Sequence, residues 1–499
     1  MCGIAGIWAT DCEDLVSEMM KRIAHRGPDA NGLFQCNNGC LGHQRLSIMD
    51  PRGGNQPIFS GDKKRAIVAN GEIYNFPVLR EILKSKHTFR TTSDSESVLH
   101  LYEDLAQDAT DKLDGMFAFA LSDGENLYAA RDAIGIKPLY YGNYTGGFAF
   151  ASELKAIIGI ADEVKEFPPG TWYHTKYGFN SFYAVPNLKP EKLSVEQSCK
   201  MIRKVLENAV TKRLMSDVPV GAFLSGGLDS SIICALAGRH IKELHTFSVG
   251  IKGSRDLEAA RLAANHIGSI HHEYIITVDE VAEKLPEIIY YLESFDQDLV
   301  RSAIPCYFTS RLASQYVKVV LTGEGADELF AGYKYYKDIN CLDKLHKELR
   351  RSVCALHNIN LQRVDRLTMA HSLEARVPFL DTELIRLAQR IPANYKLKED
   401  KRGNFTEKWI LRKACEDLLP REILWRDKEQ FDEGSGTVDV VTRGLKSFIS
   451  NLQLRQKNLN NEKVKIRSSE EAAYYKIFTE EYKESPEILN NVARWAVLE

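Results

Sequence analysis

Nowhere does the sequence hold an apolar run approaching the ~20 residues that cross a bilayer. Its start, Met1-Cys2-Gly3-Ile4-Ala5-Gly6-Ile7-Trp8, lacks the basic region and long apolar core of an export signal. The expectation is a cytoplasmic protein with no membrane partner. Positive charge is not in excess either: the formal net charge is −3, which leaves no electrostatic footprint for nucleic acid. The ten cysteines are scattered, and without export they read as thiols rather than a disulfide framework. Cys12, Cys36 and Cys40 lack the second matched pair of a zinc site and read as structural or surface residues. No internal repeat is visible.

What is present is 499 residues of ordinary globular composition, 44% hydrophobic and 27% charged, too long for one core. Residues 1–190 read as β-rich. Expected strands are Cys2–Trp8, Ala66–Asn70, Met116–Ser122, Leu127–Arg131 and Phe148–Ser152, and Ser17–His25 and Phe76–Leu83 are expected amphipathic helices. Tyr183–Ser194, with two prolines and little periodicity, reads as a linker. From 195 the pattern alternates: helix 195–214, strand 218–224, helix 229–239, strand 244–250, helix 255–267, helix 303–315, strand 317–321. That alternation predicts a parallel sheet with helices on its faces. After 340 the chain reads as mainly helical, with 449–471 a polar surface segment.

In Leu224-Ser225-Gly226-Gly227-Leu228-Asp229-Ser230-Ser231 a buried strand breaks at paired glycines and restarts as a helix. Hydroxyls and backbone N–H groups at a helix start favour an anion. The Gly-Lys-Ser/Thr ending of a Walker loop is missing, which argues against γ-phosphate transfer. Thr322-Gly323-Glu324-Gly325-Ala326-Asp327-Glu328 crowds acids behind another buried strand. Magnesium prefers oxygen ligands and bridges carboxylate to phosphate; with the resemblance described below, this makes Asp229 and Asp327 the candidate Mg²⁺ ligands.

A second group of motifs lies near the start. Cys2 gains a free α-amine if Met1 is removed, and an amine titrating near neutrality can take the thiol proton. Arg45 offers a fork for a carboxylate. Asn70 and Gly71 supply oxyanion donors, and Glu72 and Asp94 supply acids for an ammonium. The set suits an amino-acid amide; solvated charges on loops are the plainer alternative.

Met-Cys-Gly-Ile-Ala-Gly, His25-Arg-Gly-Pro-Asp29, Gln44-Arg-Leu-Ser-Ile48, Asn70-Gly-Glu-Ile-Tyr-Asn75 and Asp94 resemble the glutaminase domain of class II glutamine amidotransferases. Leu224–Ser231 resembles the pyrophosphate loop of ATP pyrophosphatases, and the two resemblances together imply an α/β chain of two domains. Residues 2–185 would be an N-terminal-nucleophile αββα sandwich. Residues 195–499 would be a parallel-sheet ATP pyrophosphatase domain with a mainly helical C-terminal part. The first implies Cys2 as nucleophile and Arg45, Leu46, Ser47, Ile48, Met49, Asn70, Gly71, Glu72 and Asp94 as the glutamine site. Leu224, Ser225, Gly226, Gly227, Asp229, Ser230, Val249, Thr322 and Gly323 would meet ATP. Glu324, Arg301 and Lys428 would assist catalysis, Lys428 by neutralising departing pyrophosphate.

Together, residues 2–435 resemble the glutamine-hydrolysing asparagine synthetases. That implies glutamine, aspartate and ATP as substrates, an internal path for ammonia, and a homodimer. The chain departs from the family pattern before Arg301, where Asp298 and Leu299 replace threonines, and after it at Ser302-Ala303-Ile304. Amidation of a different carboxylate acceptor is therefore the alternative reading, and a non-catalytic sensor is a third.

Overall fold

The computed structural model describes residues 2–427, 434–436, 464–483, 486–492 and 494. Lys428 and most of the polar segment 449–471 lie outside the described residues.

The strands of the N-terminal part are β1 (Gly3–Trp8), β2 (Ala30–Cys36), β3 (Gly39–Arg45), β4 (Ile58–Phe59), β5 (Ala66–Ile73), β6 (Gly115–Ser122), β7 (Leu127–Arg131), β8 (Tyr140–Tyr144), β9 (Gly147–Ala151), β10 (Asp162–Glu166), β11 (Thr171–His174) and β12 (Gly178–Ser181). They form two six-stranded antiparallel sheets, ordered β10-β8-β9-β1-β3-β2 and β12-β11-β7-β6-β5-β4. β1, β3, β5 and β6 are buried along almost their whole length because each sheet is covered on both faces. Ile4, Leu41, Val68, Ala118 and Phe150 fill the space between the sheets. Helix α1 (Glu13–Arg22) covers the first sheet through Val16 and Met19. Helices α2 (Phe76–Leu83) and α3 (Ser95–Leu105) cover the second through Leu79, Leu83, Val98 and Leu99. The layering is αββα.

β5 runs three residues beyond the expected Ala66–Asn70, carrying Asn70 and Gly71 inside a ladder with β6. α1 begins four residues before the expected Ser17, because Glu13 and Asp14 sit in the first turn, where the helix dipole favours acids.

The second part follows Ser194, which caps α4 (Val195–Lys212) with a reciprocal capping box to Gln197. Its sheet is parallel, ordered β15-β14-β13-β16-β17, with β13 (Val220–Phe223), β14 (His245–Gly250), β15 (Ile270–Ile275), β16 (Val319–Leu321) and β17 (Glu374–Arg376). Helices α5 (Leu228–Gly238) and α6 (Arg255–Ile267) follow β13 and β14. The chain leaves β13 in one direction through β14 and β15, then returns on the other side as β16 and β17. The β13/β16 boundary is therefore the topological switch point, where parallel sheets open a crevice beyond their C-terminal edge.

Helix α7 (Gln297–Ala313) starts six residues before the expected 303. Asp296 caps it by accepting from the N–H groups of Asp298 and Leu299, and Pro305 is absorbed inside it. Helix α8 (Asn360–Met369) is buried along its whole length between the two parts. A final described helix pair includes α9 (Ser469–Tyr482), packed on α7.

Candidate active site

Two sites emerge, about the residues the sequence singled out. Cys2 is buried just before β1. Its backbone N–H donates to Asn70 Oδ1 at 3.0 Å, and its thiol faces the Leu46 carbonyl at 3.9 Å. Burial pushes the Cys2 thiol up from its ordinary value, so it needs a base to reach the thiolate. Because the Asn70 carbonyl oxygen is engaged by Cys2, its Nδ2 remains as a buried donor with no protein partner. A buried donor without a partner costs about 1–3 kcal/mol; on a side chain already bonded to the Cys2 backbone, such a donor can serve an oxyanion. Gly71 is required here: its φ is +151°, and a Cβ would lie 2.0 Å from the Met116 carbonyl oxygen.

Arg45 works as a clasp in this structure. It donates to Asn55 Oδ1 at 2.6 Å and to the carbonyls of Met49 and Asp50, closing the loop that carries residues 46–55. Ser47 N–H donates to Asp29 at 2.7 Å. Leu46, Ile48 and Met49 pack against Val319 and Met369, so the same loop docks on the second part. Asp94 accepts from Ile73 N–H at 2.7 Å, and burial raises its carboxyl to about 6. Glu72 is also buried and held well above the usual range, by burial first and by Asp94 and Glu374 next. Its carboxylate faces Arg376 at 3.3 Å.

The second site is a cavity of about 480 Å³ at the switch point. Leu224, Ser225, Gly227, Asp229 and Ser230 line one wall, with Thr322, Gly323, Glu324 and Asp327 opposite. Gly226 holds φ +72°, and a Cβ there would meet Ala260 N at 2.4 Å, so the turn packs directly on α6. Ser225 Oγ and Ser230 Oγ lie 3.0 Å apart across it. Val249 is buried on β14 behind the wall, which is formed by its neighbours Phe247 and Ser248.

Lys408 was invisible in the sequence pattern and is central to the geometry. Its ammonium, almost fully buried, lies 2.5 Å from Asp229 and 2.6 Å from Asp327. Two carboxylates from different strand ends thus meet on one cation. That donor set fits magnesium, whose other ligands would be phosphate and water oxygens. Arg363 from α8 pairs with Glu324. Glu328 accepts from Tyr333 and Asn360 and is raised by burial to about 7. Asp298, Leu299 and Ser302 line the cavity. Arg301, one step round the helix, does not; it pairs with Glu470 of α9 at 2.6 Å. Lys408 directly precedes the short helix Trp409–Ala414, and nothing local marks it out from the other lysines of the chain.

An antiparallel double sheet with a buried thiol near the chain start, followed by a parallel sheet with a hydroxyl-lined loop, matches two family models in tandem, a glutamine amidotransferase domain and an asparagine synthase. Residues 1–178 match the family model described as glutamine amidotransferase domain, and 201–352 and 340–487 match the one described as asparagine synthase. Asparagine synthetase [glutamine-hydrolyzing] 2 of Arabidopsis thaliana is 42% identical over 463 residues, 87% of this chain and 79% of that protein. Asparagine synthetase [glutamine-hydrolyzing] 3 of the same plant is 43% identical over the same shares. The Zea mays asparagine synthetase is 41% identical over 486 residues, 92% of this chain and 82% of that protein. The chain belongs to the family of glutamine-hydrolysing asparagine synthetases.

Proposed function

We propose that the chain makes L-asparagine from L-aspartate, using glutamine as nitrogen donor and ATP as activator. Residues 2–185 form the glutaminase and 195–499 the synthetase. The observation that carries this reading is the coexistence, in one chain, of the Cys2 thiol beside the Asn70 Nδ2 donor and the hydroxyl-lined loop facing Asp229, Asp327 and Glu324.

With Met1 removed, the α-amine of Cys2 takes the thiol proton and sulfur attacks the side-chain carbonyl of glutamine. Asn70 Nδ2 and Gly71 N–H hold the oxyanion. Glu72 and Asp94 face the α-ammonium, and the loop clasped by Arg45 faces the α-carboxylate. Ammonia leaves, and water hydrolyses the thioester to glutamate. In the cavity the aspartate β-carboxylate attacks the α-phosphorus of ATP, and the bond to pyrophosphate breaks. Ser225, Gly227, Ser230 and Lys408, with Lys428 beyond the described residues, stabilise the departing pyrophosphate. Magnesium held by Asp229 and Asp327 would neutralise triphosphate charge when bound. Ammonia then displaces AMP from β-aspartyl-AMP, with Glu324, positioned by Arg363, taking its proton. Arg301 acts at one remove, tying α7 to α9. The sum is glutamine, aspartate, ATP and water to glutamate, asparagine, AMP and pyrophosphate. Free thiols at exposed Cys341 and Cys354 favour a reducing compartment. Among the described residues no helix is long and apolar enough to cross a membrane.

Asp298 on the cavity wall supports a second reading, amidation of another acid, because a carboxylate there repels an acidic acceptor unless Arg467, 3.3 Å away, offsets it. Mass spectrometry of products from purified protein with glutamine, ATP, Mg²⁺ and a panel of acids separates the two. Asparagine with AMP supports the main reading; amidation of a different acid supports the second; ADP contradicts adenylation.

A further inference from the structure

The glutaminase part carries a cluster that neither site uses. His100 and Glu103 stand one turn apart on α3, and His87 comes from the segment after α2. A single oxygen, Glu103 Oε2, lies 3.1 Å from His87 Nδ1 and 2.8 Å from His100 Nδ1. The three potential ligand atoms lie within 4.8 Å of one another. In a tetrahedral zinc site with bonds near 2.0–2.1 Å, ligand atoms are separated by about 3.3 Å.

The opposite ring nitrogens complete the pattern. His87 Nε2 faces Asp104 Oδ1 at 3.1 Å, and His100 Nε2 faces Glu96 Oε1 at 3.6 Å. The far nitrogen of His87 is thus within hydrogen-bond distance of a carboxylate, while that of His100 is buried with Glu96 nearby but no hydrogen-bond partner. Metal-bound histidines characteristically give their other N–H to a carboxylate, which fixes the tautomer and raises ligand basicity. The two rings are stacked, with centroids 4.6 Å apart, so both Nδ1 atoms are presented to the same side, toward Glu103 Oε2.

We propose that His87, His100 and Glu103 form a zinc site, with solvent on the partly exposed side of His87 and Glu103 supplying a fourth ligand. Two imidazoles and one carboxylate suit Zn²⁺ better than magnesium or calcium, which prefer all-oxygen shells. The site ties the segment after α2 to α3. The same segment is held by Glu96, which accepts from the N–H groups of Arg90 and Thr91. It delivers Asp94 to its place beside Ile73. The zinc is a structural clamp on the loop that forms one wall of the candidate glutamine pocket.

The test uses the full-length protein, stripped with a chelator, re-equilibrated with Zn²⁺, freed of excess and assayed for bound metal by inductively coupled plasma mass spectrometry. His87→Gln and His100→Gln are measured beside it, with circular dichroism and pyrophosphate release reporting that the chain is folded. The expected result is one zinc equivalent more in the parent than in either folded variant. If His100→Gln does not fold, His87→Gln, on a partly exposed segment, decides alone. An unaltered zinc content in folded His87→Gln, or no zinc retained by the parent, overturns the proposal. A rise in unfolding temperature with added Zn²⁺ in the parent, absent in His87→Gln, is expected from ligand linkage; equal shifts in both overturn it.

Discussion

Arg376 faces both sites at once: its guanidinium lies 3.3 Å from Glu72 on β5, while its carbonyl accepts from Thr322 N–H at 2.9 Å behind the acidic loop. Glu374 Oε1 meets the same guanidinium at 2.6 Å. Burial is complete on all sides, and the arginine holds the Glu374 carboxyl down to about 2. One β17 residue thus neutralises acids behind β5 and fixes the backbone of the acidic loop that lines the cavity.

Arg376→Met should destabilise the protein by about 3–5 kcal/mol, the cost of leaving buried acids without their counter-charge. The measurement is the shift in the chemical-denaturation midpoint against the parent. An unchanged midpoint would show that the ion pair contributes nothing.

Asn70→Ala should reduce glutaminase kcat by about 10²–10³, as loss of one oxyanion donor does elsewhere. Ammonia-driven synthesis should be unaffected. A change confined to KM for glutamine would instead assign Asn70 to ground-state binding.

Lys408→Met should remove the cation shared by Asp229 and Asp327. Pyrophosphate release should fall by at least about 10², because an electrostatic group at the departing phosphate is lost, while glutaminase activity is kept. Retained pyrophosphate release would demote Lys408 to a packing role.

The pH dependence follows from Asp94. Its carboxyl, raised by burial to about 6, is ionised above that value and neutral below it. Binding of an α-ammonium therefore weakens as pH falls through 6, and KM for glutamine should rise there while KM for ammonia-site aspartate does not follow it. The linkage has the opposite sign for folding: the folded state binds this proton more tightly than the unfolded one. Asp94 therefore subtracts stability as pH rises from about 4 to 6. Asp94→Asn should flatten both trends; a KM profile unchanged by that substitution counts against the assignment.

Much of the candidate sites was legible because their residues sit in short contiguous motifs. Cys2, Asn70-Gly71, Ser225–Ser230 and Gly323–Asp327 each carry their own backbone requirement, a turn or a strand end, that sequence displays. Arg26 shows what was not legible. It donates to the Cys2 carbonyl at 3.0 Å and pairs with Glu153 at 2.6 Å and with Asp365 at 2.8 Å. Its partners lie 127 and 339 positions away, so no local pattern predicts them. Lys155, Glu293 and Arg366 extend the same buried network across the two parts. Helix α8 is the clearest case: Arg363 faces the cavity's Glu324 while Asp365 and Arg366 enter this network. Arg363, Asp365 and Arg366 give no local sign of burial, and the packing of the two parts is what makes this a core helix.

The central claim is that glutamine hydrolysis and amide synthesis are separate chemistries in one chain. Cys2→Ala, assayed for asparagine with glutamine and then with ammonium as nitrogen source, tests it most directly. The account predicts no synthesis from glutamine and undiminished synthesis from ammonium. Loss of both, in a protein that remains folded, would contradict it.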